Sequence, residues 1–305
     1  MKTGVPPTGA ALWWWAARPR TLGLAFSPVV AATALAWAGP DPVRHPEAPV
    51  VAVLCAALTQ AGSNLFNDAA DFVNGTDRAE RLGPPRATAE GWATPSQVSV
   101  AALTAFLLAA LGGFYLTWIG GWPIYALGVA ALFAGYAYSN GPWPVSRTPF
   151  GEVFVLFFFG LVAVGGAYYL QTGRIGQAAL WWGMALGAQA AAVLLLNNVR
   201  DMDGDARAGR RTLAIVLGLA ASRRVYATLM VLPYLIMIAT SWAGLTPLGA
   251  LAGLAGAPMA ARTVAAFHGA TPSPAMNALL AGTVKVQLVT ALAAAMGLGL
   301  TAVMV

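Results

Sequence analysis

Long apolar runs separated by short polar or Pro/Gly-rich punctuation recur along the whole chain: Thr21 to Ala38, Pro49 to Asp71, Val98 to Ile119, Pro123 to Ser139, Gly151 to Tyr169, Gln177 to Asn198, Val225 to Trp242, Leu245 to Ala266 and Gly282 to Val305. A helix that crosses the hydrocarbon core of a bilayer needs about 20 mostly apolar residues. The pattern therefore predicts an all-α, polytopic membrane protein of nine transmembrane helices, one domain over residues 1–305 with a short cytoplasmic segment, 1–17, before the first span. The eighth run carries Gly253 and Gly256 and is open to a break, although glycine is common where membrane helices pack closely.

Composition sharpens this picture. Of 305 residues 58% are hydrophobic and 9% charged, against about 25% charged in soluble domains, which excludes an ordinary water-soluble enzyme. The net charge of +6 comes from basic residues too few and scattered to track a nucleic-acid backbone. Cys55 is the single cysteine, and His45 and His268 are the two histidines. They offer neither a disulfide framework nor a Cys/His metal cluster. Met1 to Ala10 lacks the apolar stretch of a removable signal peptide, so the first span is expected to remain as an anchor.

The few charges order the spans. With the N-terminus inside, 14 of the 17 basic residues fall on the inner side, Arg44 and Arg174 fall outside, and Lys285 lies near the inner end of the last span. That asymmetry predicts a cytoplasmic N-terminus and an external C-terminus by the positive-inside rule. Trp118, Trp122, Trp181, Trp182 and Trp242 then mark the outer interface and Trp13 to Trp15 the inner one, as aromatic belts do.

Two connections are long, Val73 to Gln97 and Asp201 to Arg224, and long loops are often functional. Seven of the 11 acidic residues cluster where these connections begin: Asp68, Asp71, Asp77, Glu80, Asp201, Asp203 and Asp205. These clusters end spans two and six, so parity sets both at the cytoplasmic face. Each contains Asn-x-x-x-Asp, and a spacing of four places both side chains on one helix face. Asn67 projects with Asp71, and Asn197 with Asp201 and, if the helix continues, Asp205. Asn74-Gly75 reads as a helix stop, from which Asp77 returns to the site. The likeness of the two segments hints at a duplicated four-helix unit.

Both acidic sets crowd helix C-termini, where the macrodipole is already negative, so cations must compensate. Asp and Asn oxygens suit Mg²⁺, which completes its octahedron with water and substrate phosphate. Arg78, Arg81, Arg86, Arg207, Arg210 and Arg211 offer planar donors to phosphate oxygens. Solvated loop charge would account for either Asp motif alone; two motifs at matching membrane positions point instead to a metal-bridged polyphosphate. Asp203 is out of phase and reads as a solvated or supporting carboxylate.

Several segments now stand out together: Trp15-Ala-Ala-Arg-Pro-Arg-Thr-Leu22, Asn67-Asp-Ala-Ala-Asp71 with Gly75-Thr-Asp77, Arg81-Leu-Gly-Pro-Pro-Arg86, Tyr138-Ser-Asn-Gly-Pro142, Phe150-Gly-Glu152, and Asn197-Asn-Val-Arg-Asp201 with Asp205, Gly209 and Thr212-Leu213. In this order the chain resembles the UbiA superfamily of intramembrane aromatic prenyltransferases, and within it the 1,4-dihydroxy-2-naphthoate branch of menaquinone biosynthesis. It departs from that branch at Arg210, where a lysine is usual, and at Arg147 and Pro149, where an aromatic residue and a glycine are expected. These changes bear on acceptor identity more than on reaction class.

The resemblance implies Mg²⁺-dependent transfer of a polyprenyl group from its diphosphate to an aromatic carbon, with loss of the naphthoate carboxylate to give demethylmenaquinone. It implies Asp71, Asp201 and Asp205 as catalytic residues, and Asn67, Asp68, Asp71, Asp77, Asn197, Asp201 and Asp205 as metal ligands. Arg78, Arg86, Arg210, Tyr138 and Arg147 are the expected substrate-binding residues. Phe66, Tyr138, Phe154, Phe157, Tyr168 and Tyr169 are candidate walls for an allylic cation. The implied partners are polyprenyl diphosphate, an aromatic acceptor and membrane lipid, with no nucleic acid and no obligatory protein partner. Another acceptor such as 4-hydroxybenzoate is the alternative within the enzyme class. An ion-coupled transporter is the alternative outside it, but it would carry its acids near mid-span, and a lipid-binding structural protein without turnover is a third.

Overall fold

The computed structural model describes residues 7–76 and 81–304. Backbone polar groups in lipid must be satisfied within the protein, by helices or closed barrels, and all regular structure among the described residues is helical. The order is α1 (Gly9–Ala16), α2 (Gly23–Ala38), α3 (Ala48–Val73), α4 (Pro95–Gly120), α5 (Trp122–Ala137), α6 (Gly151–Thr172), α7 (Gln177–Arg200), α8 (Met202–Arg207), α9 (Leu213–Trp242), α10 (Leu248–Gly269) and α11 (Met276–Met304). Among the described residues eight helices are long and apolar enough to cross a membrane, and α5 is a shorter apolar ninth.

The last span starts six residues earlier than expected, at Met276 rather than Gly282, and the structure departs further from expectation at three places. α9 starts at Leu213 rather than Val225, because the charged pair Arg223 and Arg224 sits within the helix instead of in a loop. Arg224 is exposed, while the Arg223 guanidinium donates to the Ala270 carbonyl at 2.6 Å; long basic side chains reach the interface this way. The helix breaks at Gly218, whose φ of 71° suits a residue without Cβ. The second long connection is therefore mostly ordered helix. The break expected in the eighth span occurs as a change of winding, 3₁₀ over Leu248–Gly256 and α over Ala257–Gly269. At the N-terminus, α1 presents Trp13 to Trp15 to the surface, so part of the expected short segment is a helix.

α7 is the axis of the bundle. It is Ala-rich and largely apolar, and Trp182, expected at the outer interface, is instead fully buried along it with Leu186, Leu195 and Leu196. Helices α2, α6, α9 and α11 pack around it. Small residues let backbones approach where no hydrophobic force separates lipid from protein. A Cβ on Gly160 of α6 would lie 2.7 Å from the Cα of Gly187 in α7. At that contact α6 winds as a π-helix over Phe157–Val162. Interhelical hydrogen bonds tie the far half together, Tyr226 to Thr283 at 2.7 Å and Tyr234 to Thr290 at 3.1 Å. On the other side α3 and α4 form an antiparallel pair. α4 opens with a capping box, in which the Thr94 hydroxyl accepts from the Gln97 amide and the Gln97 side chain accepts from Thr94 N–H. This fixes where the first long connection ends.

Candidate active site

The last turns of α3 and α7 finish at the same end of the bundle and line one cavity of about 820 Å³. On α3, Asn64, Asn67 and Asp71 recur at spacings of three and four, and all three face the cavity, as helical geometry requires. On α7 the same spacing brings Asn197 and Asp201 in. The chain leaves helical geometry at Asp201 but resumes in α8, and the Asp205 amide bonds the Asp201 carbonyl at 2.9 Å. Asp205 therefore returns to the same side. Gly209, at φ 72°, then reverses the chain, and the Arg210 amide bonds the Asp205 carbonyl at 2.9 Å.

The two motifs have the same local construction. In the first, Arg86 donates to the Asp71 carboxylate at 2.6 Å and to the Asn67 side-chain oxygen at 2.9 Å. In the second, Arg200 donates to both Asp201 oxygens at 2.9 and 2.5 Å and to the Asn197 side-chain oxygen at 2.8 Å. Each Asn/Asp pair thus converges its oxygens on one cation. Arg210 joins the motifs, contacting the second Asp71 oxygen and, at 3.3 Å, the Asp205 carboxylate. Among the described residues no three acidic, Cys or His side chains form a complete metal cage. A divalent ion held here would take its remaining ligands from phosphate and water, which is how Mg²⁺ is ordinarily bound, so the donor set fits it.

Burial and crowding set the charges at this mouth. Burial, reinforced by Asp201 and Asp71, pushes the Asp205 carboxyl up to about 6 despite Arg210. Burial acts against the charge of Asp201 too, but the hydrogen bonds and charge of Arg200 hold that carboxyl below its usual range. Arg18 is lowered to about 9, first by burial and then by Arg86 and Arg81. It is the non-glycine residue in the left-handed region among those described, at φ 56°, and its Nη2 is buried without a partner.

Beyond the charged mouth the cavity turns apolar, walled by Leu24, Phe159, Val193, Leu280 and Val284. Tyr138 and Phe154, with ring centroids 5.9 Å apart, lie between the two zones. One compartment thus accepts a polyanionic head and a hydrocarbon tail.

Of the expected site residues, Asn67, Asp71, Asn197, Asp201, Asp205, Arg86, Arg210 and Tyr138 meet in this cavity. Asp77 and Arg78 lie outside the described residues. Two do not reach it. The buried Asp68 carboxylate points the other way, accepting from the Ala87 amide at 3.0 Å, the Thr88 amide at 3.3 Å and the Thr88 hydroxyl. It pins the turn that delivers Arg86, because residue 68 is out of phase with 67 and 71. Arg147 donates to the Ala208 carbonyl at 2.9 Å and lines a separate small hollow, so it braces the second loop. Four candidate wall aromatics also fall elsewhere. Phe66 packs against Phe106 and Tyr136, Phe157 is exposed, Tyr168 donates to Asp41, and Tyr169 packs against the apolar core.

Sequence reasoning gave Arg18 and Arg200 only a topological role. Arg200 is 2% exposed and also donates to Asn277 at 2.7 Å, whose amide holds the Leu82 carbonyl at 3.0 Å. Its spacing of three from Asn197 on one helix was the available signal. For Arg18 the signal was the following proline, which biases the preceding residue away from the right-handed helix.

The profile of the UbiA prenyltransferase family matches residues 25–285. The chain is 37% identical over 293 residues to the 1,4-dihydroxy-2-naphthoate octaprenyltransferase of Mycobacterium tuberculosis, covering 93% of this chain and 96% of that protein. Its fold matches a UbiA homologue from Aeropyrum pernix with a TM-score of 0.68 at 13% identity, over 91% of this chain and 97% of that one. It matches a UbiA homologue from Archaeoglobus fulgidus, bound to DMAPP and Mg²⁺, with a TM-score of 0.65 at 13% identity, over 94% and 99%. A helical bundle, paired Asn/Asp motifs facing one arginine-rich cavity and this likeness over most of the chain lead to one conclusion: the chain belongs to the UbiA prenyltransferase family and is an integral membrane prenyltransferase.

Proposed function

We propose that this enzyme transfers a polyprenyl group from polyprenyl diphosphate to 1,4-dihydroxy-2-naphthoate, with loss of the acceptor's carboxylate to give a demethylmenaquinone. The observation that carries the donor half is the convergence of each Asn/Asp pair on a single cation at the mouth of a cavity whose far walls are apolar. The acceptor half is supported by the dihydroxynaphthoate octaprenyltransferase to which the chain is similar over nearly its full length.

Asn67, Asp71, Asn197, Asp201 and Asp205 would hold Mg²⁺, with Asp77 as a further ligand; the ion supplies charge neutralisation to the departing diphosphate. Arg86, Arg210 and Arg18, with Arg78 from the first loop, donate to the phosphate oxygens. Donors aimed at the charge that develops on the leaving group lower the barrier to breaking the allylic carbon–oxygen bond. Tyr138 and Phe154 present ring faces and edges beside the reacting carbon, where a π face stabilises positive charge, and the enclosed walls keep water from it. The isoprenoid tail stays among the helices. The charged mouth faces the cytoplasm, with the N-terminus inside and the C-terminus outside, in keeping with the positive-inside rule.

Purified protein offered polyprenyl diphosphate with either dihydroxynaphthoate or 4-hydroxybenzoate, with Mg²⁺ or with EDTA, tests the reading. Product with the naphthoate alone, abolished by EDTA and by Asp71→Asn or Asp201→Asn in folded protein, is expected. Full activity of either variant would remove the metal assignment, and product with 4-hydroxybenzoate alone would replace the acceptor.

A further inference from the structure

We infer that Asn198 reads a hydroxyl group of the aromatic acceptor, and that Glu152 is a positioning residue that decides which end of the Asn198 amide faces the cavity. The inference rests on the aromatic-acceptor reading above. Glu152, at the start of α6, is 4% exposed and does not line the cavity. Its Oε1 accepts a hydrogen bond from Asn198 Nδ2 at 2.9 Å, while Oε2 is buried with no partner. Asn198 is thus the one side chain that hydrogen-bonds this carboxylate among the described residues.

Glu152 Oε1 takes the NH₂ end of the Asn198 amide. That leaves Asn198 Oδ1, an acceptor, directed to the cavity that Asn198 lines. Among the described residues no donor bonds this oxygen. Diphosphate only accepts, and so offers it nothing; an aromatic hydroxyl donates.

Position agrees with chemistry. Asn198 follows Asn197 in the chain but sits about 100° around the helix from it, away from the face shared by Asn197 and Asp201. One turn earlier on the same side, Leu194 packs at Gly151 beside the Tyr138 hydroxyl. Asn198 therefore belongs to the sector of Tyr138 and Phe154, two rings suited to stacking an aromatic acceptor, rather than to the arginine sector. The amide orients the ring through its hydroxyl; it takes no proton in the reaction.

The test uses full-length enzyme in detergent, with KM measured for each substrate in wild type, Glu152→Gln, Asn198→Ala and the double variant. Asn198→Ala should raise the acceptor KM about tenfold, the effect of one hydrogen bond, and Glu152→Gln, whose amide can turn either end to Asn198, should raise it by less, both leaving the donor KM and the half-saturating Mg²⁺ concentration unchanged. The double variant should be no worse than Asn198→Ala, since Glu152 acts through Asn198. Wild type should bind an O-methyl ether of the acceptor, used as a competitive inhibitor, about tenfold more weakly than the hydroxyl form, and Asn198→Ala should bind both alike. Effects that multiply, a donor KM that moves equally, or a raised Mg²⁺ requirement would overturn the assignment. If Glu152→Gln does not fold, the ether comparison between wild type and Asn198→Ala decides alone. Absence of any aromatic prenylation by wild type would instead sink the functional reading on which this one stands.

Discussion

Replacing Arg18 by glycine should make the protein more stable and less active. Arg18 is held at φ 56° and ψ 65°, a left-handed conformation that disfavours an L-residue by about 1–2 kcal/mol. Its guanidinium is pushed down by burial and by Arg86 and Arg81, against a smaller pull from Asp68 and Asp71, and its Nη2 has no partner among the described residues. Glycine adopts this conformation freely, at a loss of about 0.5–1 kcal/mol through the more flexible unfolded chain. Removing a crowded cation adds to the gain, for a net stabilisation of about 1–2 kcal/mol. At about 2–4 °C per kcal/mol for a large domain, the melting midpoint in detergent should rise by roughly 4 °C. In the proposed function Arg18 presents its cation to a substrate anion. Losing a charge-assisted hydrogen bond of about 1.5–3 kcal/mol should lower kcat/KM about 10- to 100-fold. Arg18→Lys, which keeps both charge and Cβ, should show no stability gain and intermediate activity. A lower melting midpoint in Arg18→Gly would refute the strain argument, and wild-type kcat/KM would refute the substrate role, since strain relief alone raises the midpoint and leaves kcat/KM unchanged.

Asp205 should titrate near neutrality. Its folded-state value of about 6 lies above the ordinary 3.8, so its contribution to stability is full below pH 3.8 and lost as pH rises through about 6. Melting of substrate-free Asp205→Asn should therefore gain on wild type between pH 4 and 7 and run parallel above, while wild-type kcat/KM rises through about pH 6 as the carboxylate ionises. Asp68→Ala should cost about 3 kcal/mol, because it strands the buried Ala87 and Thr88 amides. The Mg²⁺ dependence of the remaining folded enzyme should not change, and a shifted Mg²⁺ titration would return Asp68 to the metal site. Gly187→Ala would place a methyl 3.0 Å from the Gly160 Cα and should lower stability by about 3 kcal/mol through overpacking, seen as a depressed melting midpoint.

Much of the site was legible because it rests on periodicity. Asn67 and Asp71, and Asn197 and Asp201, share helix faces whatever packs around them, and parity brings two span ends to one membrane side. Asp68 was misread for a related reason. It stands beside two cavity residues in the chain but a third of a turn away in space, where the Thr88 turn takes its carboxylate. Arg147 was misread because a loop arginine near an anion site carries no information about direction, and here it bonds a backbone carbonyl.

The chain alone determined the helical class, the spans and the meeting of two acidic motifs, since each follows from local spacing and from the inability of lipid to satisfy exposed backbone. Tertiary structure decided how each charge is used: Arg200 braced behind Asp201, Arg210 bridging Asp71 and Asp205, and Glu152 holding Asn198 by its amide. The Arg210 and Glu152 pairings join residues from separate helices and loops, and which donor reaches which acceptor there depends on distances that only packing sets.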